Sequence, residues 1–330
     1  MALTLSRLGF GAAPIAGLYT PVDDDTAAAT VDAAWDAGVR YFDTAPHYGL
    51  GLSERRLGRA LAGRPRHEYL VSTKAGRLLV PDDSGRTDVD DGFANPATHR
   101  RVWDYTRDGI RRSLDDSLTR LGLDRVDLLY LHDPEDRMPD ALATAIPALI
   151  ELRDEGAITA VGVGSKDAAA LTTLVDNGGL DAVMVAGRFT LLEQPALDEL
   201  FPACETAAVA VVAAGIYNSG LLATDVPDPG GTYEYGPVPP RILDRARELA
   251  AVCAHHGVTL PQAALHYPLR HPLVASAVVG MRSPAEAAQN AVRLDTAVPE
   301  RLWADLEERG LIPAGGASAR PAPSAPSPTP

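Results

Sequence analysis

Lysine is scarce in this 330-residue sequence. Only Lys74 and Lys166 are lysines, and the other 28 of the 30 basic residues are arginines. Cysteine is equally rare, and the spacing of Cys204 and Cys253 fits neither a metal site nor a disulfide framework. Positive charge is in deficit overall, since the net charge is −14 and the pI is about 5.0. A surface of this sign repels phosphate groups, which argues against nucleic acids and anionic membranes as partners.

Long apolar runs are also missing. The longest, from Ala207 to Ala214, is far shorter than the roughly 20 residues that a membrane-spanning helix needs. The first residues lack the basic segment and apolar run of a signal peptide. We therefore expect a cytoplasmic protein, either a monomer or a small homo-oligomer, whose partner is a small molecule.

Short apolar runs alternate with helical patterns along the chain. The runs are continuous, as in strands that are buried on both faces of a parallel sheet. Eight of them are present: Arg7 to Gly11, Tyr41 to Asp43, Tyr69 to Lys74, Val126 to His132, Ile158 to Gly164, Ala182 to Ala186, Val209 to Ala213 and Ser276 to Gly280. Eight strand–helix repeats predict a single-domain α/β fold, a (β/α)₈ TIM barrel. An open dinucleotide-binding sheet is disfavoured because a third glycine does not follow Gly9 and Gly11 at the G-x-G-x-x-G spacing.

The barrel is predicted to occupy residues 1–313. A disordered tail, residues 314–330, follows it and is rich in proline, alanine and serine. Within the barrel, Ala75 to Trp103 and Ala214 to Pro240 are predicted to be long irregular loops. Both follow strands, so they should lie at the C-terminal face of the barrel, where barrel enzymes have their active sites.

Four reactive side chains fall at or just after strand ends. Asp43, Lys74 and His132 end the second, third and fourth strands, and Tyr48 follows Asp43 in the next loop. Neighbouring strands of a barrel end on one rim, so the four side chains should converge. An ammonium group stabilises a phenolate and lowers the tyrosine pKa from about 10, a carboxylate fixes the ammonium, and a histidine can orient the substrate oxygen. Such a set predicts acid/base catalysis of hydride transfer with a nicotinamide cofactor.

Three segments carry a family resemblance: Gly38 to Gly58, Val71 to Lys74 and Ser113 to His132. They resemble the signatures of the aldo-keto reductase family, and the resemblance extends over about residues 5 to 310. It implies that Tyr48 is the general acid/base, that Lys74 and Asp43 tune it, and that His132 orients the substrate. Three further segments are similar to aldose 1-dehydrogenases that oxidise L-fucose, D-threo-aldoses or L-galactose: Leu131 to Asp136, Val185 to Gln194 and Asn218 to Leu222. This similarity implies oxidation of the anomeric hydroxyl of an aldose to the lactone.

The same resemblance places nine residues at the cofactor: Ser165, Ser219, Leu221, Gly280, Arg282, Ser283, Glu286, Gln289 and Asn290. Glu286 stands where members that prefer NADP often carry arginine. A carboxylate there repels a 2′-phosphate and can accept a hydrogen bond from a 2′-hydroxyl, so NAD is the expected cofactor. Arg282 could instead pair with that phosphate, which leaves NADP open.

The substrate pocket is expected to involve Pro46, His47, Trp103 and Tyr217, with Tyr233 and Tyr235 as further contacts for a sugar. No metal is expected, since the acid/base set needs no Lewis acid. Three alternative functions stay open: an NADPH-dependent reductase of aldehydes or ketones, a pyridoxal 4-dehydrogenase, and a non-enzymatic cofactor-sensing subunit. A hydrolase is disfavoured, because paired carboxylates and a metal-ligand cluster are both missing from the predicted rim.

Overall fold

The computed structural model describes residues 4–85, 87–234 and 236–315. Its strands are β1 Leu8–Gly11, β2 Tyr41–Asp43, β3 Leu70–Ala75, β4 Arg77–Pro81, β5 His99–Trp103, β6 Val126–His132, β7 Ile158–Ser165, β8 Ala182–Ala186, β9 Ala210–Ala214, β10 Thr232–Tyr233, β11 Gly236–Pro237 and β12 Val274–Gly280. Eight of them close into a parallel barrel in the order β1-β12-β9-β8-β7-β6-β3-β2. The barrel closes where β1 pairs with β2, with Gly11 opposite Asp43. The predicted TIM barrel is confirmed.

Helices form the outer layer of the barrel. They are α1 Asp24–Asp36, α2 Leu52–Leu61, α3 Arg107–Leu121, α4 Met138–Asp140, α5 Ile146–Asp154, α6 Ala168–Asn177, α7 Leu200–Ala207, α8 Pro240–His255, α9 Leu260–His266, α10 Pro284–Asp295 and α11 Glu300–Glu308. Side-chain oxygens cap several helix starts, as where Asp23 accepts a hydrogen bond from the Thr26 amide at 2.7 Å. Glycine ends others in the left-handed conformation, as at Gly122 after α3.

The barrel interior is packed solid near the middle of the strands. Tyr41 and Tyr130 point into it, fully buried, and their hydroxyl oxygens lie 3.2 Å apart. Gly162 on β7 leaves room for this pair, because a Cβ there would lie 2.5 Å from the Tyr130 ring. The barrel is therefore closed in the middle, and a ligand can enter only at one end of the strands.

The prediction of two irregular loops is partly wrong. Between Ala75 and Trp103, β4 and β5 form an antiparallel hairpin, in register from Arg77 opposite Trp103 to Pro81 opposite His99. A shorter pair, β10 with β11, lies within the second segment. Strand propensity depends strongly on cross-strand partners, so two short strands far apart in sequence leave little local signal. Both segments still follow the C-terminal ends of barrel strands, as expected.

Two predictions fall outside the described residues. Nearly all of the predicted tail lies in residues 316–330, and Tyr235 is also not described, so both stay predictions. Across the described ranges, no helix has the length and apolar character needed to cross a bilayer.

Candidate active site

The four predicted acid/base residues meet at the C-terminal ends of three adjacent strands. The Lys74 ammonium donates hydrogen bonds to the Asp43 carboxylate at 2.7 Å and to the Thr44 carbonyl at 2.9 Å. Its nitrogen lies 4.7 Å from the centroid of the Tyr48 ring. The ring of His132 lies 6.0 Å from that of Tyr48, across the same space. Because β2, β3 and β6 are neighbours in the barrel, Asp43 and His132 come together although they are 89 positions apart in the sequence.

A tight loop places Tyr48 over Lys74. Ser53 lies at the start of α2, and its hydroxyl shares a hydrogen bond of 2.7 Å with the Thr44 hydroxyl. It also donates to the Ala12 carbonyl at 2.9 Å. Gly49 follows Tyr48 with φ of 56°, and a Cβ at that position would lie 2.8 Å from the Ala16 carbonyl oxygen. Only glycine fits both the left-handed backbone and this close approach. The loop is therefore fixed on both sides of the tyrosine.

Buried charge defines the electrostatics of the four residues. Burial opposes the charge on Lys74, but Asp43 and Tyr48 outweigh it and raise the pKa of Lys74 above its ordinary value. Burial raises the pKa of Tyr48, and the Lys74 ammonium offsets only part of that rise. The lowering by Lys74 is as expected, but the net direction is the opposite of the predicted one, because desolvation is the larger effect. Tyr48 is thus a protonated phenol at neutral pH.

His132 is neutral in this setting. Burial lowers its pKa well below the usual range, and the nearby cations Arg77 and Lys74 lower it further. A neutral imidazole can donate one hydrogen bond to a substrate oxygen without adding a charge of its own. The positive charge of the site therefore comes from Lys74 and Arg77, and His132 is uncharged.

The β4–β5 hairpin supplies a second layer around the site. Arg77 donates to the Asp133 carboxylate at 2.7 Å and stacks over Trp103 at 4.3 Å from the ring centroid. Arg101 donates to the carbonyl of His47 at 2.7 Å. Burial lowers the pKa of His47 to about 2, helped by Arg101 and Arg77. The hairpin thus holds the residues on either side of Tyr48 and His132.

A cavity of about 660 Å³ runs from the acid/base residues to the start of α10. Seven of the nine predicted cofactor residues line it: Ser165, Ser219, Gly280, Arg282, Glu286, Gln289 and Asn290. The other two do not line it. Leu221 is buried in the hydrophobic core, and the Ser283 hydroxyl caps α10 by accepting a hydrogen bond from the Glu286 amide. Their predicted contact with the cofactor would have to come through the backbone.

The predicted substrate residues divide in a similar way. Tyr217 and Tyr233 line the cavity, and the Tyr217 hydroxyl donates to the buried amide oxygen of Asn290 at 2.8 Å. Pro46, His47 and Trp103 are not part of its lining. His47 packs its ring against Tyr48, Phe93 and His132, and Trp103 supports Arg77. Direct contact between substrate and these three residues stays a prediction.

Arg282 and Glu286, which were expected to act in opposite directions on a 2′-phosphate, contact each other. The Arg282 amide donates to one carboxylate oxygen of Glu286 at 2.9 Å, and the Arg282 side chain lies 3.6 Å from the other. Arg282 also reaches the Thr20 hydroxyl at 3.5 Å. Each therefore partly neutralises the charge of the other.

Several cavity residues have no role in the sequence prediction. Asp133, Lys166, Arg188, Asn218 and Arg293 all line it. Two signals in the sequence could have found some of them. Lysine is so rare in this chain that Lys166 stands out, and both lysines line this one cavity. The Asn-Ser-Gly run at Asn218 is typical of a turn with left-handed residues, and Asn218 has φ of 47°.

The cavity fits a nicotinamide dinucleotide. Its volume is in the range of ligand and cofactor sites. The amide oxygen of Asn218 is buried and accepts no hydrogen bond from any described residue, so it can accept one from a bound ligand. Asn218 and Ser219 both have positive φ, and such strained residues cluster at ligand sites. Within the described residues, no group of histidine, cysteine and acidic side chains could hold a metal ion.

Comparison with known proteins identifies the family, because residues 7–309 match the Aldo/keto reductase family. The chain belongs to the aldo-keto reductases. It is therefore an oxidoreductase that acts on alcohol and carbonyl groups with a nicotinamide cofactor. The family predicted from the three signature segments is confirmed.

Individual aldo-keto reductases are similar along nearly the whole chain. A D-threo-aldose 1-dehydrogenase from a Pseudomonas species is 52% identical over 315 residues, which cover 94% of this chain and 96% of the relative. A pyridoxal 4-dehydrogenase from Microbacterium luteolum is 39% identical, over 94% of this chain and 95% of the relative. A holo-form aldo-keto reductase structure from Bacillus halodurans superimposes with a TM-score of 0.73 at 26% identity, over 93% of this chain and 92% of that one. The predicted similarity to aldose 1-dehydrogenases is confirmed.

Proposed function

We propose that this aldo-keto reductase oxidises the anomeric hydroxyl of an aldose to the lactone, with NAD as the preferred cofactor. The observation that carries the proposal is the assembled set of Asp43, Tyr48, Lys74 and His132 in a chain that is 52% identical to a D-threo-aldose 1-dehydrogenase. The geometry supports acid/base chemistry on an oxygen, and the similarity supports a sugar as the molecule that carries it.

Tyr48 and His132 share the reacting oxygen in this mechanism. The anomeric hydroxyl donates its proton toward Tyr48 and accepts a hydrogen bond from neutral His132. In this direction Tyr48 acts in its phenolate form, whose negative charge the Lys74 ammonium stabilises, and the phenolate oxygen takes up the hydroxyl proton to become the neutral phenol. Asp43 holds Lys74 in place and keeps it protonated, so it acts as a positioning residue. A nicotinamide cofactor held in this cavity would supply the acceptor for the hydride of carbon 1.

We infer from the residues that line the cavity where the rest of the cofactor would bind. Ser165 would contact the nicotinamide half, the amide oxygen of Asn218 would accept a hydrogen bond from the cofactor, and Gln289 and Asn290 would contact the adenine. The Ser165 hydroxyl donates to the Glu135 carboxylate at 2.8 Å, so it would exchange this partner on binding the cofactor. Glu286 would accept a hydrogen bond from a ribose 2′-hydroxyl and oppose a 2′-phosphate. This is the basis of the preference for NAD.

A reduced-nicotinamide absorbance assay tests the proposal. Purified protein is given NAD or NADP with L-fucose, L-galactose, D-arabinose and pyridoxal. We expect turnover with at least one aldose and a higher kcat/KM with NAD than with NADP. Tyr48→Phe should abolish turnover, whereas Tyr69→Phe should not, because Tyr69 packs against Trp35 and Phe42 away from the cavity. Turnover of none of the aldoses would refute the proposal.

A second candidate function is an NADPH-dependent carbonyl reductase, which Arg282 favours because it lines the cavity and could pair with a 2′-phosphate. In that case Arg282→Ala should raise the KM for NADPH at least tenfold while leaving the KM for NADH nearly unchanged. The pyridoxal 4-dehydrogenase relative makes pyridoxal the third substrate class in the same panel. Oxidation of pyridoxal without oxidation of any aldose would favour that function.

A further inference from the structure

Asp133 is held in an unusual conformation beside the reacting position. It directly follows His132 and has φ of 44°, in the left-handed region that non-glycine residues seldom adopt. Its carboxylate lines the cavity and lies 3.5 Å from Nε2 of His132. The proton transfer derived above makes no use of this carboxylate. A strained charged residue at the reacting position needs a reason of its own.

Two sets of contacts fix the carboxylate in place. The Asp133 amide donates to the Gly164 carbonyl at 2.8 Å, which ties its backbone to β7. Arg77 donates to Oδ2 at 2.7 Å, and Arg77 is itself held against the ring of Trp103. Oδ1 accepts no hydrogen bond from any residue in the described ranges, while a third of the Asp133 side chain is exposed. Oδ1 is therefore available to a ligand in the cavity.

The position of this carboxylate matches one particular group of a sugar. If His132 donates to the reacting oxygen through Nε2, that oxygen lies close to the carboxylate, because Oδ2 of Asp133 is 3.5 Å from this nitrogen. In a sugar, the hydroxyl on the carbon next to the reacting carbon lies at a similar separation from the reacting oxygen. An ionised carboxylate only accepts hydrogen bonds, so it would bind a hydroxyl at that place.

We propose that Asp133 is a specificity residue that accepts a hydrogen bond from the hydroxyl vicinal to the reacting carbon. The enzyme then selects aldoses with a hydroxyl at carbon 2 and discriminates against 2-deoxy sugars. This inference rests on the proposed oxidation of an aldose. It also gives a chemical reason why Arg77 and Trp103 are arranged behind Asp133.

The test compares sugars that differ only at carbon 2: D-arabinose with 2-deoxy-D-ribose, and L-fucose with 2-deoxy-L-fucose. The quantity measured is the ratio of kcat/KM for the hydroxylated sugar to kcat/KM for the deoxy sugar. Intrinsic differences in reactivity between the two sugars cancel when this ratio is compared between enzyme variants. Asp133→Gly removes the carboxylate, and glycine accepts the left-handed backbone without strain.

We expect the ratio to fall by roughly tenfold to a hundredfold from wild type to Asp133→Gly, the range for a hydrogen bond to a charged group. The ratio for Asp133→Asn, which keeps an acceptor oxygen, should lie between the ratios for wild type and Asp133→Gly. Asp136→Asn is the matched control: its exposed side chain is outside the cavity lining, so the ratio should not change. Cofactor binding is measured for each variant by the quenching of tryptophan fluorescence, and this checks that the variant keeps its fold.

The outcomes separate the two proposals. If Asp133→Gly slows both sugars of a pair equally, the residue only positions His132, and the inference is overturned. The same conclusion follows if the ratio stays within twofold of wild type. If the wild-type enzyme oxidises no aldose at all, the proposed function itself fails, and the inference fails with it.

Discussion

Replacement of Lys74 by methionine should destabilise the fold and abolish turnover, and most of the loss of stability should come from Asp43. Lys74 and Asp43 are 2% and 3% exposed and 2.7 Å apart. Removing one partner of a buried ion pair leaves an uncompensated charge, which costs about 3–5 kcal/mol of unfolding free energy. Ser72 still donates to the other Asp43 oxygen at 2.7 Å, which places the expected cost of Lys74→Met toward the lower end of that range.

The double variant Lys74→Met with Asp43→Asn tests this reasoning. Asparagine carries no charge, so the double variant should be more stable than the sum of the two single losses predicts, by about 1–3 kcal/mol. Urea denaturation of the four proteins gives the coupling free energy. Additive losses, within about 0.5 kcal/mol, would refute the statement that the charge of Asp43 depends on Lys74.

The pH dependence of Lys74→Met adds an independent check. Burial raises the pKa of Asp43, and Lys74 is the largest effect opposing it. Without Lys74, the folded-state pKa of Asp43 lies further above its unfolded value. Its protonation at lower pH then favours the folded state. The stability gap between Lys74→Met and wild type should therefore narrow as the pH falls from neutral. The Lys74→Met, Asp43→Asn variant has no carboxyl at position 43, so its gap to wild type should show no such narrowing.

Two further predictions follow from burial and packing. Because burial raises the pKa of Tyr48, sugar oxidation, which needs the phenolate, should keep rising with pH up to about 10; a plateau below about pH 9 would contradict this. Gly162→Ala should lower the unfolding free energy by about 1–3 kcal/mol in urea denaturation, since the new Cβ would lie 2.5 Å from the buried Tyr130 ring. Gly164→Ala, whose Cβ would meet its nearest neighbour at 3.6 Å, should be nearly neutral, and equal losses in the two variants would contradict the packing argument.

The barrel strands and the convergence of Asp43, Tyr48, Lys74 and His132 could be predicted because their signals are local. Each of Asp43, Lys74 and His132 ends a continuous apolar run, and the strand order of a barrel brings such ends together. Lys74, one of only two lysines in a chain that otherwise uses arginine, indicates a site where a compact charge is needed. These features require no knowledge of distant contacts.

The β4–β5 hairpin and the net pKa shift of Tyr48 could not be predicted in this way. The hairpin depends on pairing Arg77 with Trp103, and neither strand has an apolar pattern strong enough to identify it alone. The pKa of Tyr48 depends on how much solvent the surrounding segments exclude, a property of the assembled site. The contact between Arg282 and Glu286 was not predicted either, because each residue was considered only as a contact of the cofactor and not as a partner of the other.

Arg101 joins the β4–β5 hairpin to the loop that carries Tyr48. Its replacement should loosen the hairpin without unfolding the barrel. It forms a bidentate pair with the buried Asp88 at 2.6 and 2.9 Å and donates to the carbonyl of His47, the residue before Tyr48. Arg101→Gln would leave Asp88 buried without its cation. The hairpin belongs to a separate two-stranded sheet, so the segment between its strands can open while the barrel stays intact.

Hydrogen exchange measured by mass spectrometry should show faster exchange in residues 82–98 of Arg101→Gln and no change in the barrel strands. The kcat/KM should fall at least tenfold, because Tyr48 loses an anchor beside it. Arg100→Gln is the matched control, since Arg100 is exposed on the same strand. Asp88→Asn combined with Arg101→Gln should recover part of the protection, as it removes the unpaired charge. Faster exchange throughout the barrel would mean that Arg101 supports the whole fold. Unchanged exchange in the hairpin would mean that other contacts hold this segment. Either result would refute the link from Asp88 through Arg101 to Tyr48.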